Sequence, residues 1–308
     1  MSTSNDYYSY NEFFFSAHND EQISCCEEKV LINPELLHPS CFVIPVPPQD
    51  NFLRSESQAC INFVRSAPAL NPKCRFGPRE QLNQVSSYLD GNNIYGSSQK
   101  EADDLREFRG GRLRSSNINN EEYLPLNFND TNSNCQLPKN SQLKCFHGGD
   151  NRLNEVVDLT VLHLAFHREH NRIAKVFSQL NPFWSDETIY QEAKRLVVAE
   201  FQHIIYNEFV PLILGPRALA HFGLQLNSGF SNDYNPVIDV SVLNEFSTAA
   251  YRLHSLIQGT LNLNSPDNRI LGRVLLREQF NNPQILFHKN GFEMRIAGLT
   301  GQAIQNCK

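Results

Sequence analysis

The sequence predicts a mainly α-helical protein with a loop-rich, cysteine-containing N-terminal region. Two observations carry the helical class: apolar residues recur with a 3.6-residue period over three long stretches after Leu159, and no strand-helix alternation or solenoid repeat appears. A third sets the N-terminal region apart. Residues 1 to about 75 are rich in Pro, Ser and Cys, as in "HPSCFVIPVPPQD", and show little helical periodicity.

The elements follow in order. From Arg79 to Arg109 short helical patterns flank a Gly/Asn-rich turn at "DGNNIYGSS". Residues 115 to 150 read as a polar loop in which Cys135 and Cys145 bracket "QLPKNSQLK", the spacing of a small disulfide loop. The first long pattern places Leu159, Leu162, Phe166, Ile173, Phe177 and Leu180 on one stripe, with Pro182 just beyond its end. The second starts at an N-cap, Ser185, with Asp186 and Glu187 in its first turn. It buries Ile189, Ala193, Leu196, Val197, Phe201, Ile204 and Ile205 before Pro211. The third, "VLNEFSTAAYRLHSLIQG", carries Val242, Phe246, Ala249, Leu253 and Ile257.

Composition narrows the function. At 308 residues the chain is long enough to bury an enzyme-sized core. Lys+Arg 27 against Asp+Glu 33, a formal charge of -6, leaves no basic footprint for a nucleic acid or an anionic membrane. No apolar run approaches the roughly 20 residues of a membrane span, and "MSTSNDYYSYNEFFFSAH" has no basic start followed by an apolar core, so no export signal is visible. The cysteines nevertheless point to secretion: Cys25, Cys26, Cys41, Cys60, Cys74, Cys135 and Cys145 fall in loops, none forms a C-x₂-C zinc pair, and Asn129-Asp130-Thr131 is a glycosylation sequon.

Four constellations stand out. "LTVLHLAFHREHNRIAKV" spaces His163, His167 and His170 by four and three residues along one side of a helix. The stripe centred on Leu162, Phe166 and Ile173 puts His163 and His170 at its edge and His167 further toward solvent. "HREH" lacks the H-E-x-x-H spacing of a zinc helix, which favours supporting roles over a metal. "SSYLDGNNIYG" offers oxygens at alternating positions, from Ser86, the Tyr88 carbonyl, Asp90 and Asn92, suited either to calcium or to a plain Asp-Gly-Asn turn. "HGGDNRLNE" sets Arg152 and Glu155 three apart after a Gly pair that allows close backbone approach, and His254 lies within the third apolar pattern.

Taken in order, "HPSCFVIPVPPQDN", "CINFVRSAP", "REQLNQVSSYLDGNNIYGSS", "FRGGRL", "FHGGDNRLNEVVDLTVLHLAFHREHNRIA", "LNPFWSDETIYQEAKRLVVAEFQHIIYNEFVPLILG" and "NEFSTAAYRLHSLIQG" resemble the animal-type haem peroxidases, the peroxidasin and peroxinectin-like group. The resemblance runs from about Cys25 to about Gln302. It implies a mainly helical fold around a b-type haem, a bound calcium, and hydrogen peroxide as oxidant of a small donor such as a phenol or halide. Arg152 then matches the distal arginine, whose fixed charge suits a peroxide bond gaining electron density. Glu155 matches the carboxylate ester-linked to haem, His254 the proximal iron ligand, and Arg252 a propionate-binding arginine. Ser86, Tyr88, Asp90 and Asn92 match the calcium loop. The family pairing joins Cys25 to Cys41, Cys26 to Cys60 (these two exchangeable) and Cys135 to Cys145, leaving Cys74 and Cys307 without partners in the chain.

The sequence also departs from the family pattern. Where the family carries G-Q-F-x-D-H-D, only "FFFSAHND" stands, so His18 is the candidate distal base, with Phe14, Ala17 and Asn19 in place of Gln and two Asp. Val156 occupies the position of a haem-linking Met in the mammalian leukocyte enzyme. "AYRLHSLI" is one residue shorter than the usual A-F-R-F-G-H-S-L-I, and the chain stops after "LTGQAIQNCK". The expected organisation is a divergent segment over residues 1–24 followed by a partial haem peroxidase domain over 25–308. The expected function is a secreted peroxidase responding to oxidative stress; its rival is a catalytically inactive extracellular scaffold that binds a protein partner.

Overall fold

The computed structural model describes residues 23–26, 34–55, 57–69, 77–83, 85–127, 135–137, 143–230, 232 and 234–306. Phe14, Ala17, His18, Asn19, Cys74, Asn129 and Cys307 lie outside the described residues. The chain divides into two units, Met1–Gln84 and Val85–Lys308. In the first, β1 (Ile44–Pro45) and β2 (Cys60–Ile61) pair antiparallel, Ile44 opposite Ile61. Disulfides join Cys25 to Cys41 and Cys26 to Cys60, the pairs that the resemblance implies. Among the described residues of this unit only Cys25, Val46, Cys60 and Val64 are buried apolar groups, while Phe42, Ile44, Phe52 and Phe63 are exposed. So small a core leaves much of the constraint to the cross-links, each worth about 2–5 kcal/mol.

The second unit begins with two short helices, α1 (Asn92–Tyr95) and α2 (Gln99–Leu105). Ser98 and Glu101 close a reciprocal capping box that starts α2. Two strands follow, β3 (Ser116–Ile118) and β4 (Glu121–Tyr123), paired with Ser116 opposite Tyr123. Asn119 and Asn120 turn between them at φ 54° and 66°, a left-handed pair that Asn tolerates in a tight hairpin. This hairpin replaces the first part of the polar loop predicted over 115–150. The disulfide Cys135–Cys145 closes the small loop as predicted.

The long helices α3 (Val157–Leu180) and α4 (Asp186–Ile204) pack on each other and organise the unit. The Ser185 hydroxyl accepts from the Thr188 N–H at 3.1 Å, so the predicted N-cap is present. The C-terminal half of α3 joins a core of Tyr95, Leu105, Leu113, Ile189, Tyr190, Ala193 and Val197. Its N-terminal half joins a second core of Tyr123, Phe146, Leu153, Leu261 and Leu286. Buried charge clamps tie these layers together. Arg106 reaches both Asp186 and Glu187, and Arg295 forks onto Asp158 and also donates to the Asn262 carbonyl.

Three helical expectations are corrected. On α3 the inward face is rotated from the predicted stripe: Leu162 is 46 % exposed, whereas His163, His167 and His170 are 8, 3 and 0 % exposed. The interior here is lined by polar groups with partners, so apolarity alone misplaced its centre. On α4, Ile189, Ala193 and Val197 are buried but Leu196 and Ile204 are exposed. Nor does the chain leave the helix before Pro211: a π-helical turn over Ile205–Phe209 runs into α5 (Val210–His221), where Pro211 occupies a first-turn position that needs no donor.

The third long helix is not formed. Residues 246–250 make one π-helical turn and His254–Leu256 a 3-10 turn, with Phe246, Leu253 and Ile257 exposed. A helix with an apolar stripe needs a surface to bury it, and among the described residues this stretch has none. Beyond it, β5 (Thr260–Asn264) and β6 (Ile270–Leu275) form an antiparallel pair, and α6 (Gly291–Gly301) packs on β5 and α3.

Candidate active site

Arg152 sits in a 3-10 turn, Asn151–Asn154, capped by Asp150, whose side chain accepts from the Arg152 backbone N–H at 2.8 Å. The guanidinium then folds back on the same carboxylate, Nε to Oδ1 at 2.9 Å and Nη2 to Oδ2 at 2.6 Å. The Arg152 side chain is 43 % exposed and that of Asp150 15 %, so a largely buried carboxylate holds a half-exposed guanidinium. Burial works against the Asp150 anion, but the Arg152 hydrogen bonds outweigh it and hold the carboxyl below its ordinary value. Arg152 is held more firmly protonated by the Asp150 hydrogen bond, with burial opposing, and the charges of Glu155 and Tyr251 reach it as well. Glu155 ends the turn, its N–H donating to the Arg152 carbonyl at 2.8 Å.

Tyr251 links this cation to the predicted iron ligand. Its ring lies 6.3 Å from that of His254, edge-on, and carries the Arg252 guanidinium 4.6 Å from its centroid. His254 is exposed, and among the described residues neither of its ring nitrogens has a hydrogen-bond partner. The flanking chain shows a broad apolar surface, with Phe209, Leu212, Leu243 and Phe246 all exposed. An accessible imidazole, a held cation and apolar side chains around them are a donor set that fits haem. Arg152 thus stands with Asp150 and Glu155, and Tyr251 stands with His254.

The turn before α1 is built from the four predicted calcium residues. The Ser86 hydroxyl accepts from the Tyr88 N–H at 3.2 Å and Asp90 Oδ1 from the Asn92 N–H at 3.0 Å, while Asn92 Nδ2 donates to Ser97 at 3.1 Å. These are the bonds of an Asp-Gly-Asn turn; they leave further lone pairs on Ser86 and Asp90. Among the described residues no group of three or more His, Cys, Asp or Glu is placed to hold a metal ion. The Gly pair brings this turn to the Arg152 loop: a Cβ on Gly149 would lie 2.4 Å from the Gly96 nitrogen and 2.5 Å from the Asn92 carbonyl oxygen. Only glycine permits that approach.

The three helix histidines have separate protein environments. His170 Nε2 lies 2.9 Å from the Gly111 carbonyl, which can only accept, so Nδ1 accepts the Tyr95 hydroxyl at 3.0 Å. His167 Nε2 lies 3.4 Å from Ser115 Oγ and 3.9 Å from Glu122. Burial lowers both imidazoles to about 4. His163 donates through Nδ1 to the Leu159 carbonyl at 2.7 Å. The sequence reading passed over Asp150, Tyr251 and Tyr95. Asp150 alone had a readable signal, an acidic cap two residues before Arg152 at the start of a helical turn.

Comparison with known proteins bears on family and fold. The animal haem peroxidase family model matches residues 8–308. The chain is 39 % identical over 288 residues to a chorion peroxidase of Drosophila melanogaster, covering 92 % of this chain and 35 % of that protein. It is 34 % identical over 282 residues to the peroxidasin homolog of Homo sapiens, covering 86 % and 18 %. Among solved structures, peroxidase A of Dictyostelium discoideum superposes with a TM-score of 0.70 at 26 % identity, covering 87 % of this chain and 52 % of that one. The chain thus spans about a third of the length of the chorion peroxidase and less of the peroxidasin. It belongs to the animal haem peroxidase family.

Proposed function

We propose that this chain binds a b-type haem through His254 and reduces hydrogen peroxide at Arg152, drawing electrons from a small donor such as a phenol or halide in a secreted protein that acts under oxidative stress. The observation that carries this reading is the fork of Arg152 on the largely buried Asp150, taken with the exposed imidazole of His254 edge-on to Tyr251. A charge held by a carboxylate behind it loses little orientational freedom when an oxygen ligand arrives, which is how a fixed cation favours charge building on oxygen. Bound haem supplies the redox equivalents for the two-electron reduction of peroxide. Arg152 would orient the peroxide oxygens, Arg252 and Glu155 would help to hold the haem, and His18 is the candidate acceptor of the peroxide proton.

Ser86, the Tyr88 carbonyl, Asp90 and Asn92 would hold a calcium ion. Their all-oxygen character supports that, and a single carboxylate implies weak affinity. The disulfides support an oxidising compartment. No helix among the described residues is long and apolar enough to cross a membrane.

Adding haem to the full chain tests the reading. His254→Ala should abolish the haem absorption band, whereas Arg152→Gln should keep the band and lose peroxide reduction. Haem uptake that is indifferent to His254 would overturn it. A second reading, an inactive extracellular scaffold that engages a protein partner, is favoured by one observation, the exposed 3-10 turn that carries His254. A chain that takes up haem yet leaves peroxide untouched would support that reading.

A further inference from the structure

A cleft of about 290 Å³ opens in the second unit where the turn after α2 meets β3, and Glu107, Arg112, Arg114, Ser115 and Ser116 line it. The chain from Leu105 to Arg114 folds back on itself there: the Glu107 N–H donates to the Arg112 carbonyl and the Arg114 N–H to the Leu105 carbonyl, each at 2.9 Å. Arg112 and Arg114 are two residues apart on extended backbone, which puts their side chains on one side. Pro125 and Leu126 give the cleft an apolar wall.

What this lining offers is hydrogen-bond donors. Arg114 is exposed, but its Nε is fixed on the carbonyl of buried Arg106 at 2.7 Å, and its two terminal nitrogens have no partner among the described residues. Glu107 is the one carboxylate among the lining residues, and Arg112 already holds it at 3.2 Å. The Ser116 hydroxyl accepts from the Leu126 N–H at 3.1 Å and keeps its own proton to give. Ser115 gives its proton to Glu122 and so adds no donor. Two guanidiniums against one carboxylate disfavour a cationic ligand.

We propose that this cleft binds a small organic carboxylate with a ring-sized carbon body. The carboxylate forks onto the terminal nitrogens of Arg114 and takes the Ser116 hydroxyl proton as a hydrogen bond, and the ring lies on Pro125 and Leu126. A guanidinium anchored through Nε loses little freedom when the ligand arrives, and its planar fork matches two oxygens of one carboxylate. The site does not rest on the peroxidase reading.

The test is a titration of the isotope-labelled full chain with benzoate at low salt, read at the Ser116 and Leu126 amide resonances. Both should shift saturably. Benzyl alcohol, which keeps the ring without the charge, and acetate, which keeps the charge without the ring, should each bind about tenfold more weakly or worse. Arg114→Gln should weaken benzoate by about tenfold or more, whereas Arg195→Gln, at an exposed ion pair on α4, should not change it. Should Arg114→Gln fail to fold, the parent still decides: added salt should weaken benzoate and leave benzyl alcohol unaffected. Benzoate shifts that never saturate, affinity retained in a folded Arg114→Gln, or benzyl alcohol or acetate binding as tightly as benzoate would each overturn the proposal.

Discussion

A guanidinium held at two points by one carboxylate differs from a surface arginine in what a substitution removes. Arg152→Lys keeps the charge and loses the fork, because an ammonium cannot engage both Asp150 oxygens and hold its direction. The expected result is a fall in the rate of peroxide reduction by about 10²-fold with haem uptake unchanged, read by stopped-flow mixing of the haem-loaded chain with peroxide. A lysine variant that works as well as the parent would mean that charge alone matters. This residue was legible in the sequence because "GGDNRLNE" resembles a family motif. Asp150 was not singled out, since a cap two residues upstream reads as local turn chemistry until the side chain is seen to close on itself. His254 was legible by the same route, but its surroundings were not: its position in an apolar pattern predicted a helix, and the chain there forms a 3-10 turn.

The length of α3 was legible from its period and its inward face was not. Hydropathy assigns a buried face to Leu and Phe, yet here His167, His170 and Asn171 are buried because Ser115 supplies a hydrogen bond to the first, Tyr95 and Gly111 to the second, and Leu113 and Glu122 to the third. That arrangement has a pH signature. The folded values of His167 and His170 lie at about 4, lowered by burial, while an unfolded imidazole titrates near 6.5. Between those limits the unfolded state binds more protons, so stability is full above about pH 6.5, falls as pH drops toward 4, and levels off below that. The fall is on the order of 3 kcal/mol for each group if they titrate independently, and less if the charge on one resists the charge on the other. Urea unfolding of the full chain at pH 7, 5.5 and 4.5 reads it directly. A His167→Gln, His170→Gln double variant should show a shallower decline, even though it is less stable at neutral pH. Midpoints that do not move with pH in the parent would show that the imidazoles are not buried neutral.

At the scale of the whole molecule, the two described cores take the two halves of α3, whereas the chain from Phe209 to Ile257 displays most of its large apolar groups. Leu212, Phe230, Tyr234 and Val237 are at least 84 % exposed and Leu243 is 74 % exposed. Isolated exposed apolar residues are ordinary, but a run of this extent marks a surface suited to an apolar ligand or partner. The turn that carries His254 belongs to the same stretch of chain. A planar apolar group fixed through His254 would remove part of that surface from water and hold the turn at Tyr251–Leu256 in place, and ordering that follows binding is read by hydrogen exchange. Adding haem to the full chain should therefore slow amide exchange over residues 244–257 by about tenfold or more, as expected for added local stability of at least ~1.4 kcal/mol, and leave the core of α4 unchanged. His254→Ala should abolish the slowing in 244–257. Slowing that persists in His254→Ala would mean that haem adheres to the apolar surface without ligation. Slowing that spreads evenly over the chain would mean that it aggregates the protein.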